Sequence, residues 1–61
     1  MLVQELITYI DDSTNLLIMT EEGKVVFTDK ANRFENIYKD LYIENILTIN
    51  DTLKIFVSYD N

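Results

Sequence analysis

The chain has 61 residues, with 11 acids against five bases, a formal net charge of −6, and neither histidine nor cysteine. Disulfides and thiolate or imidazole metal sites are therefore excluded, and a bare acidic surface repels phosphate, so direct nucleic-acid binding is not expected. One small domain over residues 1–61 is the most this length allows, and such a domain buries only about 60% of the surface its unfolded chain exposes.

The N-terminal segment reads two ways. Val3, Leu6, Ile7 and Ile10 fit a helical stripe, while Leu2, Leu6 and Ile10 share one face of a strand. Period alone does not separate the two in so short a segment. Thr8, Tyr9 and Ile10 prefer extended structure, which tips residues 2–10 toward a strand. Asp11 to Asn15 follow as a loop.

Glu21-Glu22-Gly23-Lys24 is the strong turn signal, since Gly23 is the only glycine and proline is absent. Leu16 to Thr20 precede it and Val25 to Thr28 follow, which reads as a β-hairpin. Gly23 supplies the positive φ that such a loop needs.

Phe34, Ile37, Tyr38 and Leu41 then recur at i, i+3, i+4 and i+7. That spacing predicts a helix over residues 30–41, capped by Thr28, Asp29 or Asn32. Two uses of this stripe remain open. It packs on the sheet as core, or Phe34 and Tyr38, one turn apart, wall an apolar pocket with Glu35 on its flank. Lys24, Lys30, Arg33 and Lys39 are too sparse for a phosphate-tracking stripe and read as a mixed, solvated surface.

A second hairpin closes the chain. Ile43 to Ile49 lead into Asn50-Asp51, which tolerates left-handed backbone, and Thr52 to Tyr59 return. If Ile49 pairs with Thr52, Ile46 stands opposite Ile55 and Leu47 opposite Lys54. Leu53, Ile55, Val57 and Tyr59 then line one face, while Lys54, Phe56, Ser58 and Leu47 line the other.

The fold class is thus α+β: a small antiparallel sheet of three to five strands with one helix packed on one face. The opposite sheet face stays partly apolar, and contiguous exposed apolar surface marks an interface. With no disulfide and no metal to supplement a small core, a homodimer is expected. The longest apolar run, Leu16 to Met19, is far too short to span a bilayer, and no basic start leads into an apolar stretch. No membrane partner and no signal peptide are expected, and the cytoplasm is the expected compartment.

Catalysis finds little support. General acid–base work at neutral pH recruits histidine or a carboxylate of raised pKa, and the serines and threonines have no activating base. Phosphate-binding loops need several glycines. The Asp11-Asp12 pair lacks the alternation and central glycine of an EF-hand. No enzyme activity, metal or cofactor is expected. The net charge points instead to a protein partner with a basic groove, including grooves built to hold DNA.

Glu21-Glu22-Gly23-Lys24 and Phe34-Glu35-Asn36-Ile37-Tyr38 together resemble the small, dimeric, phage-encoded uracil-DNA glycosylase inhibitors that mimic DNA. Members of that family follow an acidic hairpin turn ending in Gly-Lys with a short helix carrying Phe-Glu-x-x-Tyr. The resemblance implies inhibition of a host uracil-DNA glycosylase by occluding its DNA-binding site, in the host cytoplasm. Phe34 and Tyr38 would line a pocket that sequesters the leucine the enzyme pushes into DNA, and Glu35 would hydrogen-bond beside it. Glu21 and Glu22 would stand in for phosphates. The same composition suits an inhibitor of another host protein, such as a defence nuclease, or a dimerisation or assembly module with no inhibitory role.

Overall fold

The structure, a computed structural model, describes residues 1–35 and 40–59. Among the described residues it is an α+β fold with the helix α1 (Val3–Ile7) on one face of a four-stranded sheet. The strands are β1 (Asn15–Thr20), β2 (Val25–Lys30), β3 (Leu41–Ile49) and β4 (Thr52–Tyr59), in the spatial order β2-β1-β4-β3. Each hairpin is antiparallel, but the two hairpins meet through β1 and β4, which run parallel. The sheet is therefore mixed, not wholly antiparallel. The reason is the link from β2 to β3, which joins opposite edges of the sheet and so brings the first strand of one hairpin beside the last strand of the other.

Both hairpins form where their turn residues place them. Gly23 takes φ +98°, and Thr20 closes the turn by donating its N–H to the Lys24 carbonyl and accepting from Gly23 N–H. Asn50 takes φ +46° between β3 and β4. Ile49 pairs with Thr52, Leu47 with Lys54 and Ile46 with Ile55, so the turn alone fixes the register as anticipated.

The core lies between α1 and the sheet. Leu16, Ile18, Ile55 and Val57 contribute one sheet face, and Val3, Ala31 and Leu41 close over it. Each large apolar side chain so buried contributes roughly 1.5–3 kcal/mol. Leu6, Ile7 and Ile10 pack against the same cluster, so the helical stripe at the N-terminus prevails over the β-propensity of Thr8, Tyr9 and Ile10. The expectation of a strand over residues 2–10 is corrected accordingly. A strand would have turned every second side chain away from the core, whereas one helical face delivers Val3, Leu6 and Ile7, and Ile10 follows in the turn after it. Glu5 Oε1 accepts from Leu2 N–H at 2.9 Å and holds the first turn. Thr8 Oγ1 donates to the Glu5 carbonyl at 2.7 Å, where the helix ends.

A second correction concerns residues 30–41. Lys30 stays in β2, paired with Asn15, and Ala31–Arg33 form a single 3₁₀ turn. Phe34 is extended, with ψ 131°, and Leu41 opens β3. The stripe is not one helical face, because its ends are anchored separately. Ala31 N–H donates to the Thr14 carbonyl and Asn32 N–H to the Asp12 carbonyl, while Leu41 pairs with Tyr59. Long-range pairing therefore holds both described ends of the stretch outside a helix, against their weak local preference. Ile37 and Tyr38 lie outside the described residues.

Candidate functional site

The β1–β2 turn carries Glu21 and Glu22, both exposed, at one end of the sheet. Thr20 Oγ1 accepts from Lys24 N–H at 3.2 Å and fixes how the turn leaves β1. Two strands away, β3 carries a bulge: Ile43 pairs with Val57 and Asn45 with Phe56, so Glu44 is the extra residue. The bulge throws the Glu44 carboxylate toward β4, where Glu44 Oε2 accepts from Ser58 Oγ at 2.6 Å. Glu21, Glu22 and Glu44 thereby line one open groove, together with Thr20, Ser58 and Tyr59. Among the described residues no base lines it. It offers three carboxylates beside hydroxyls and a phenol ring, an arrangement that attracts cations.

Phe34 and Glu35 lie elsewhere. They follow the far end of β2, a strand of six residues, so about 17 Å of extended chain separates their entry point from the acidic turn. The Phe34 ring is half-buried and meets Phe27 edge-on, with centroids 5.5 Å apart. Phe34 thus packs against the core cluster. Glu35 is exposed, and Tyr38 lies outside the described residues. The structure brings Glu21 and Glu22 together with Glu44, not with Phe34.

Glu44 was missed in the sequence, although a signal was present. Ile43 and Ile46 stand opposite Val57 and Ile55, on the same side of the sheet, yet they are three apart in one strand. A strand of strict period two cannot place both on one face, so a bulge between them is required.

The second face of the sheet is the other prominent surface. Leu17, Lys54 and Leu47 form one row across β1, β4 and β3, and Met19, Phe56 and Asn45 form the next. Val25 extends the second row from β2. Val25 is 51% exposed and Leu47 42%, so this face is open at both edges. No element of the described residues packs over it. Lys54 Nζ stands 5.1 Å from the centre of the Phe56 ring, and Lys30, paired with Asn15, stands on the same face at the β2 edge.

Among the described residues no group of three acids is gathered so as to hold a metal ion. No helix among them is long and apolar enough to cross a membrane. Comparison with family models, with curated proteins and with solved structures returned no match for this chain.

Proposed function

We propose that this protein is a non-enzymatic inhibitor that presents carboxylates to the DNA-binding groove of a DNA-handling enzyme. The observation that carries this reading is the groove in which Glu21, Glu22 and Glu44 converge with no base among them. A net charge of −6 on 61 residues adds a long-range field that steers a basic partner toward it. The motif resemblance makes uracil-DNA glycosylase the first target to examine, acting in the cytoplasm of a host cell.

The reading rests on the acids more than on an apolar pocket. Phe34 is engaged with Phe27 and the core, so it is poorly placed to receive a side chain from a partner. Glu21 and Glu22 are free of that constraint, being exposed on a turn that tolerates side-chain change.

The test is uracil release from a uracil-containing duplex by a bacterial uracil-DNA glycosylase, titrated with this protein. Stoichiometric loss of activity is expected, and the E21K/E22K variant should lose inhibition while keeping its circular dichroism. Full enzyme activity at large excess of the wild-type protein would remove the glycosylase as target. A variant as potent as wild type would show that the turn acids do not carry the binding.

A further inference from the structure

We infer that the open face of the sheet docks an amphipathic helix of a partner protein, one with an apolar stripe and, near one end, acidic residues set against Lys30 and Lys54. The inference does not rest on the inhibitor reading, because the acidic groove lies beyond the far end of this site.

The sheet is built to take a partner through its face and not through its edges. At the β2 edge the Lys30 N–H already donates to Asp29 Oδ1 at 2.7 Å. At the β3 edge the Ile46 N–H donates to Asn45 Oδ1 at 2.9 Å, and the Ile43 N–H to the Met1 carbonyl at 2.9 Å. Both edge strands are also bulged, at Val26 and at Glu44. An added strand needs a regular row of free backbone donors and acceptors, which bulges and blocked donors deny it. A helix satisfies its own backbone and needs only side chains from the sheet.

The side chains of the face fit such a helix. Leu17 and Met19 of β1, with Phe56 beside them on β4, form an apolar strip that runs along the strands. Lys30 and Lys54 stand on either side of it, Lys30 on β2 opposite Asn15 and Lys54 on β4 opposite Leu17. Neighbouring strands lie about 4.8 Å apart, and same-face residues follow each other at about 6–7 Å along a strand. The two bases are therefore about 12 Å apart across the strip. A helix about 10 Å wide, laid along β1, passes between them. Three turns, about 16 Å, reach from the Lys30 row to the Phe56 row and stop short of Ser58, which holds Glu44. The groove of Glu21, Glu22 and Glu44 stays open.

Charge fixes the sign of the helix flanks. The chain has five bases, and two of them stand here, with no acid among the described residues of the two rows they occupy. Lys54 is half-buried, its ammonium group already held near Phe56. Ser58 lies four residues from Lys54 along β4, about 13 Å away, so Glu44 is beyond the screening length of about 8–10 Å at physiological ionic strength. Acids on a docked helix then meet the lysines and not the groove. A broad anionic surface such as a lipid bilayer would face the whole charge of −6, whereas a helix presents its acids at these two points.

An NMR titration of the whole chain with two synthetic helical peptides of about 12 residues tests the site. One peptide carries leucines at i, i+3, i+4 and i+7 with glutamates on both flanks near one end, and its twin has lysines in their place. The net charge of the protein alone favours the lysine twin, while the face favours the glutamate peptide. The glutamate peptide should bind about threefold tighter or more and move the amides of Leu17, Met19 and Phe56 most. K54Q, which keeps the length of the side chain, should weaken that binding about twofold or more, and K30E/K54E should reverse the preference. Equal or tighter binding of the lysine twin would overturn the proposal, as would shifts confined to the groove or no binding at about millimolar peptide. A wild-type dimer whose dilution moves the same amides would assign the face to a second copy, and binding to phosphatidylglycerol vesicles in place of the peptide would assign it to lipid. Either result overturns the helix. Glycosylase inhibition is measured without peptide, so failure of one reading leaves the other standing.

Discussion

At the scale of single residues, backbone geometry and one short polar contact decide the loops. Gly23 tolerates its φ of +98° because it has no Cβ, and the space around it is open. What favours glycine there is conformation, not crowding. Asp11 makes the other local decision. Its Oδ1 accepts from the Ser13 backbone N–H at 2.9 Å and from Ser13 Oγ at 3.0 Å. The backbone bond first, and the hydroxyl second, hold the Asp11 carboxyl below its ordinary value. A depressed folded pKa contributes stability that is present above the unfolded pKa and is lost as pH falls through the folded one. In a titration of the side-chain carboxyl followed by NMR, S13A should move the Asp11 pKa upward but not fully back, since the backbone donor remains. An unchanged midpoint would show that the hydroxyl contributes nothing.

At the scale of elements, the short helix and the 3₁₀ turn exist because the sheet holds them. Five residues of isolated helix are unstable in water, and α1 persists because Val3 is fully buried with Leu6 and Ile7 packed beside it. Leu2 also bridges to Tyr42, and Ile43 N–H donates to the Met1 carbonyl at 2.9 Å, which ties the start of α1 to the outer side of β3. Phe34 plays the matching part after β2. Truncating a half-buried ring that packs on Phe27 should cost about 2 kcal/mol, below the range for a fully buried phenylalanine. F34A should therefore lower the urea midpoint clearly. An unchanged midpoint would free the ring from the core and return it to the pocket that the glycosylase-inhibitor resemblance implies.

At the scale of the whole molecule, two forces act on two different surfaces. Charge acts through the groove of Glu21, Glu22 and Glu44, and apolar burial acts through the face of Leu17, Met19, Leu47 and Phe56. They respond differently to salt. Carboxylates that replace phosphates are screened within about 8–10 Å at physiological ionic strength, while apolar burial is not weakened by simple salts at these concentrations. Inhibition of a basic-grooved enzyme should therefore fall severalfold between about 50 and 200 mM salt. Equal potency at both salt concentrations would argue that the acids do not make the contact.

The sequence by itself determined what is local. Gly23 and the Asn50-Asp51 pair set both hairpins, and the second turn set the β3–β4 register and so the faces on which Leu47, Lys54, Ile55 and Phe56 stand. That is legible because a hairpin closes a short loop, and because side chains alternate with a period of two once the turn is fixed. Glu21 and Glu22 were legible for the same reason, as exposed residues of a turn. Only the tertiary structure decided that β1 and β4 lie side by side and parallel, that residues 3–7 are helix, and that Phe34 turns inward to Phe27. It alone brought Glu44, on the far hairpin, to the acids of the first turn. Each of these depends on which distant apolar groups are buried together, and that free energy is set by contacts between segments far apart in the chain, where local propensity and period do not decide the outcome.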